Sequence, residues 1–105
     1  RYVNLFEGKN FLVKELTVNS KSSISLQKHH HRMEHWMITQ GKPKITINKN
    51  KFFKKVNETV LIPQGAIHRI ENYFKKPVKI IEVQTGPILK ESDIVRYQDI
   101  YGRIK

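Results

Sequence analysis

The sequence predicts an all-β domain, a closed barrel or two-sheet roll, and three observations carry that reading. Short stretches alternate apolar and polar residues and are rich in β-branched side chains. Turn signals separate these stretches at short intervals. No stretch before residue 90 shows helical periodicity. Many short strands joined by tight turns bury one face each by closing on one another. A chain of 105 residues is enough for one such domain, residues 1–105, around a single core.

Taken in order, "FLVKELTV" (11–18) alternates strictly and ends at the turn "NSKS". "SISLQKH" (23–29) alternates again, followed by a bend and a second strand that runs from Glu34 to the glycine turn "GKP" at Gly41. "KITIN" (44–48) leads into "NKNK", and further turns fall at "NE" and "PQG". A strand is expected to begin near His68 after the proline–glycine turn, and "NYFKKP" separates it from "KIIEVQT" (79–85). The tail "ESDIVRYQDIYGR" is expected to form one short helix or an extended arm.

Composition excludes several classes. Hydrophobic content of 38% and charged content of 28% fit neither a disordered tail nor a membrane protein. No apolar run approaches the roughly 20 residues that span a bilayer, so no membrane partner is expected. With no cysteine there is neither a disulfide framework nor a thiolate metal site. Without a secretory signal either, the cytoplasm is the expected compartment. A chain that starts at Arg1 is expected to be part of something longer. The formal charge of +11 comes from lysines scattered over turns, such as Lys42 and Lys44, Lys54 and Lys55, Lys75 and Lys76. Nucleic-acid binders cluster such charge or interleave it with aromatics, so no nucleic-acid partner is expected. A small anionic substrate drawn to a basic mouth fits at least as well.

Certain residues break the pattern where chemistry is expected. Lys14 is in phase with Leu12, Leu16 and Val18, so a charge sits on an apolar face, and a buried ammonium needs a partner. Glu82 and Gln84 share parity with Ile80 and raise the same question. Four of the five histidines, His29, His30, His31 and His35, fall within "HHHRMEH". Gln27 and His29 are two apart on one strand and share a face, and Glu34 follows. The segment "PQGAIHRIEN" then sets Pro63, Gly65, His68 and Asn72 so that a turn brings His68 across to the first three groups. His30 faces away from His29, and His31 and His35 are read as structural neighbours rather than ligands.

This double pattern resembles the two motifs of the cupins, G-x5-H-x-H-x3-4-E-x6-G and G-x5-P-x-G-x2-H-x3-N. Gln27 stands where the first histidine would be, and Lys21 and Asn57 replace the leading glycines. Asparagine tolerates positive φ better than other side chains, which makes the second replacement the easier one. Pairing His29 with His31 instead would leave too few residues before Glu34 for the motif. The preferred ligands are therefore Gln27, His29, Glu34 and His68. Two imidazoles, a carboxylate and an amide oxygen suit a divalent metal: zinc first, with manganese, cobalt, iron or magnesium as alternatives.

A narrower resemblance covers Arg1 to Arg103. "SLQKHHHRMEHW", "IPQGAIHRIEN", "IIEVQTG" and "DIVRYQDIYGR" together are similar to the C-terminal cupin domain of the type II phosphomannose isomerases, bifunctional with mannose-1-phosphate guanylyltransferase. Ile88 and Lys90 depart from that family's usual tail. The resemblance implies metal-dependent interconversion of mannose 6-phosphate and fructose 6-phosphate in GDP-mannose biosynthesis, a Gln–His–Glu–His ligand set, and an N-terminal nucleotidyltransferase domain as partner in the full-length chain. It also implies a sugar phosphate as ligand, and a homodimer formed through the N-terminal strands is a further expectation; the alternatives are a non-catalytic sugar-binding or dimerisation cupin, or another sugar-modifying cupin such as a nucleotide-sugar epimerase. Such chemistry needs cations for the enediolate and phosphate, here Lys14 and Arg96 with Arg69 behind them, and a base, either Glu82 or a metal-bound hydroxide.

Overall fold

The computed structural model describes residues 2–29, 32–86 and 94–96, with residues 25–29 and 94–96 described through their backbone alone. Among the described residues ten strands form: β1 (Tyr2–Gly8), β2 (Phe11–Val18), β3 (Ser23–His29), β4 (Met33–Gln40), β5 (Lys44–Ile47), β6 (Asn50–Phe53), β7 (Thr59–Ile62), β8 (Ile67–Glu71), β9 (Val78–Thr85) and β10 (Ile94–Arg96). One sheet has the order β1-β2-β9-β4-β7, the other β10-β3-β8-β5-β6, and every pairing is antiparallel. After β2 the chain crosses back and forth between the sheets, so consecutive segments close a two-sheet roll. No helix forms among the described residues; the part of the tail that is described, Ile94–Arg96, is a strand on β3. The helix alternative for the rest of the tail falls outside the described residues.

Alternation builds the interior. Leu16 and Val18 of β2, Trp36 and Ile38 of β4, Val60 and Ile62 of β7, and Val78 and Ile80 of β9 meet Ile45 of β5 and Ile70 of β8 in one buried cluster. Each such side chain contributes about 1.5–3 kcal/mol when removed from water. The cluster occupies one end of the roll. Towards the other end the same inward positions carry Lys14, Glu34, Glu82 and Gln84, all buried.

The turns show why the glycine replacements are tolerated. Lys21 and Asn57 adopt φ of 58° and 74°, alongside Gly41 at 86° and Gly65 at 81°. All four motif positions keep the left-handed backbone, whichever residue occupies them. Lysine there carries a steric cost of roughly 1–2 kcal/mol that glycine would not.

One irregularity matters for the site. β3 pairs Ile24 with Ile70 but Gln27 with His68, with a register shift between the two. Three residues of β3 therefore span two of β8, a bulge that resets strict alternation. Ile24 packs against the apolar cluster, yet the Gln27 position comes into the row of His68.

Candidate metal centre

The polar end of the interior is assembled row by row across the sheets. In the first sheet, Lys14 of β2 lies opposite Glu82 of β9, which lies opposite Trp36 of β4. The next row runs Leu12, Gln84, Glu34 and Ile62. In the second sheet the row is Arg96, Gln27, His68 and Ile47. Pairing within each sheet and the packing of one sheet on the other thus bring Lys14 and the backbone of Arg96, 82 positions apart, to one end of the roll.

Glu34 and His68 are the best-defined pair. Glu34 Oε1 lies 3.9 Å from His68 Nε2, and both side chains are buried. His68 Nδ1 lies 3.3 Å from the carbonyl oxygen of Ala66, which orients the ring and leaves Nε2 towards Glu34. The indole of Trp36 meets the imidazole edge-on, with centroids 5.6 Å apart. Trp36 Nε1 donates to Glu34 Oε1 at 3.0 Å, and Arg32 Nε donates to Glu34 Oε2 at 3.3 Å. The carboxylate is therefore held at both oxygens, in the way outer-shell donors fix a ligand.

These donors fit a divalent ion. Two metal–ligand bonds sum to about 4.2 Å, so groups 3.9 Å apart can share one ion. Gln84 adds a buried amide oxygen that has no hydrogen-bond partner among the described residues. Gln27 and His29 lie on β3 in the part described by backbone alone, where Gln27 is in register with His68 and His29 is two residues further on. Among the described residues no group of three or more His, Cys, Asp or Glu side chains converges on one point.

Next to this pair sits a second carboxylate with a different character. Glu82 is buried, and its pKa is raised from 4.5 to about 7, first by loss of water and then by the charge of Glu34. The amide of Gln84 donates to Glu82 Oε2, and that bond, with Lys14 and Arg32, pulls in the opposite direction. Lys14 is buried as its phase required, and its ammonium lies 4.0 Å from the ring centroid of Tyr2 on β1.

The structure brings Lys14, Glu34, His68 and Glu82 to one region, with the backbone positions of Gln27 and Arg96 in the adjoining row. It does not bring Arg69 there. Arg69 follows His68 on a strand, so it lies on the opposite face, with Nη2 3.3 Å from Ser23 Oγ and Nε 3.8 Å from Glu71. Nearness to a ligand in sequence is the wrong guide on a strand. His35 is exposed on β4, and His30 and His31 lie outside the described residues. Arg32 and Trp36 were missed, although parity held the signal: residues 32, 34, 36 and 38 share the inward face of β4 and its approach.

Comparison with known proteins follows the same lines. The family described as "Mannose-6-phosphate isomerase C-terminal" matches residues 1–99. The chain belongs to this family. It is 44% identical to the alginate biosynthesis protein AlgA of Pseudomonas putida over 97% of its own length and 21% of that protein. It is 41% identical to the mannose-1-phosphate guanylyltransferase ManC of Salmonella typhimurium over 99% of its length and 22% of that protein. The chain thus spans about a fifth of the length of these curated relatives. Among solved structures, the cupin domain of Schizosaccharomyces pombe Cnp3 superposes with a TM-score of 0.78 at 21% identity, covering 81% of this chain and 59% of that one. A double-stranded β-helix protein from Klebsiella pneumoniae gives 0.79 at 14% identity, covering 90% of this chain and 81% of that one. At those identities the likeness is one of fold, and the fold is a cupin.

Proposed function

We propose that this domain interconverts mannose 6-phosphate and fructose 6-phosphate with a divalent metal held by Gln27, His29, Glu34 and His68. The observation that carries the reading is a near-neutral carboxyl, Glu82, buried beside Lys14 and one row from the Glu34–His68 pair. Family membership supports it. The metal, zinc by preference, would supply Lewis-acid polarisation of the sugar's oxygens.

The residues of the chain do the rest. Glu82 takes the proton from C2 of the aldose and returns it to C1, while the hydroxyl proton passes from O2 to O1, and the first task suits a carboxyl that titrates near pH 7. Lys14 offsets the negative charge that develops on the sugar oxygens in the enediolate. Arg96, at the edge of the His68 row, is the cation for the phosphate. Gln84 holds the Glu82 carboxylate, and Arg32 and Trp36 hold that of Glu34.

In the longer protein this reaction would supply GDP-mannose synthesis in the cytoplasm by a nucleotidyltransferase domain, in keeping with the names of the relatives. A homodimer through β1 belongs to the same reading. Among the described residues that strand lies at the edge of its sheet, and it leaves Tyr2, Val3, Leu5 and Phe6 exposed. Light scattering on the native chain and on Leu5→Lys would show a dimer and its loss.

His68→Ala and Arg96→Ala test the site. His68→Ala should lose bound metal, measured by elemental analysis, together with isomerase turnover, while its circular dichroism is unchanged. Full metal occupancy would remove His68 from the ligand set. Arg96→Ala should keep the metal and lose turnover; unchanged kinetics would remove Arg96 from the site.

A further inference from the structure

The end of the roll remote from Glu34 and His68 carries a different kind of surface. Phe53 closes β6, and Tyr73 and Phe74 stand in the connection between β8 and β9. All three rings are close to half exposed. Phe53 lies 6.5 Å from Tyr73 and 6.4 Å from Phe74, so they form one apolar group. Lysines that are scattered in the sequence gather around it. Lys42 Nζ lies 5.6 Å from the Phe53 ring and Lys44 Nζ 5.6 Å from Tyr73. Lys75 and Lys76 follow Phe74 directly and are exposed.

This exposure does not come from a loose loop. Asn72, buried, donates from Nδ2 to the carbonyl oxygens of Val18, Asn19 and Lys76, and its Oδ1 accepts from the backbone N–H of Phe74. Gln40 Nε2 adds a bond to the Pro77 carbonyl oxygen. The connection is pinned, and it is pinned with its rings in water. Asn72 is the last residue of the second motif, so its service here is to the fold and to this surface rather than to the metal.

We propose that this face docks onto an anionic lipid surface, with Phe53, Tyr73 and Phe74 entering the headgroup region and Lys42, Lys44, Lys75 and Lys76 meeting lipid phosphates. The complementarity is of two kinds: rings at the boundary between water and acyl chains, and ammonium groups drawn to a negative leaflet. A second copy of the chain is disfavoured by its identical lysines. Stacked nucleic-acid bases are disfavoured because lysines already lie over the Phe53 and Tyr73 rings that bases would need. The sequence led us to expect no membrane partner because nothing spans a bilayer, and a docking surface makes no such demand. Docking by this end leaves the polar end facing solution.

The test is cosedimentation with vesicles of phosphatidylcholine alone and of phosphatidylcholine with about 30% phosphatidylglycerol. The native chain should bind the anionic vesicles and not the neutral ones. Phe53→Ser with Phe74→Ser should weaken that binding about tenfold, and Lys42→Gln with Lys75→Gln should weaken it and lower its salt dependence. Thermal unfolding of both variants confirms that they fold, since every altered side chain is exposed. Absence of binding to anionic vesicles would overturn the proposal. Equal binding by the ring variant would also overturn it, by assigning the attraction to the diffuse charge of +11. Ring-dependent binding that an RNA oligonucleotide or an acidic polypeptide captures in preference to vesicles would reassign the face to that partner.

Discussion

Along β2, β4 and β9 the inward positions change character part-way down each strand. At one end they are Leu16 and Val18, Ile38, and Val78 and Ile80; towards the other, Lys14, Glu34, Glu82 and Gln84 take inward positions in rows that also hold Leu12 and Ile62. The same alternation produces both sets, and the two are equally buried. At the apolar end burial is favourable and each side chain adds to stability. At the polar end burial opposes stability and raises the pKa of Glu82 to about 7. Trp36 stands between them, with its ring against His68 and its N–H on Glu34. Buried charged groups do not add to stability unless they are paired, so the apolar end must hold the roll together without their help.

The contrast is sharpest in variants that swap one end's character for the other's. Glu82→Gln should lower kcat about 10²–10⁴-fold by removing the base. It should also stabilise the fold. The native Glu82 pKa of about 7 exceeds the unfolded value of 4.5, so the folded state holds the proton more tightly. Native stability therefore falls as pH rises from 4.5 to 7, and above that the cost is about 3 kcal/mol. Urea unfolding in chelator should find Glu82→Gln and native protein equal at pH 4 and the variant more stable at pH 8. A more stable native protein at pH 8 would contradict the pKa and its cause.

Ile45→Ala, at the apolar end, should do the reverse. Its side chain is fully buried, so truncation should cost about 2–5 kcal/mol in urea unfolding while kcat per folded molecule stays within about twofold. A variant that lost turnover in proportion to stability would show that the two ends are not separable. The smallest effect belongs to Lys21→Gly in the turn after β2. Relief of its left-handed backbone should add up to about 1 kcal/mol, reduced by the greater freedom of glycine in the unfolded chain, and leave kinetics untouched.

Much of this division is legible in the sequence because strands report it directly. The parity of Lys14 within "FLVKELTV" and of Glu82 and Gln84 within "KIIEVQT" identified three buried polar groups, and the two spaced motifs identified Glu34 and His68. What was not legible depends on departures from strict alternation or on long-range pairing. The bulge between Ile24 and Gln27 has no local signature, yet it sets Gln27 beside His68. Arg69 looked like a neighbour of the site because it follows His68, but a strand turns adjacent residues to opposite faces. The gathering of Lys42 and Lys44 around Phe53 and Tyr73 required the second sheet's pairing, which places Lys44 opposite both Phe53 and Glu71.

The central claim is that the polar end is a metal-dependent isomerase site. Its most direct test is a coupled assay for fructose 6-phosphate formed from mannose 6-phosphate, run on the native chain, after chelation, and after add-back of single divalent metals. Turnover should disappear with chelator and return with metal. Turnover indifferent to chelator, or none from folded protein with metal bound, would contradict it.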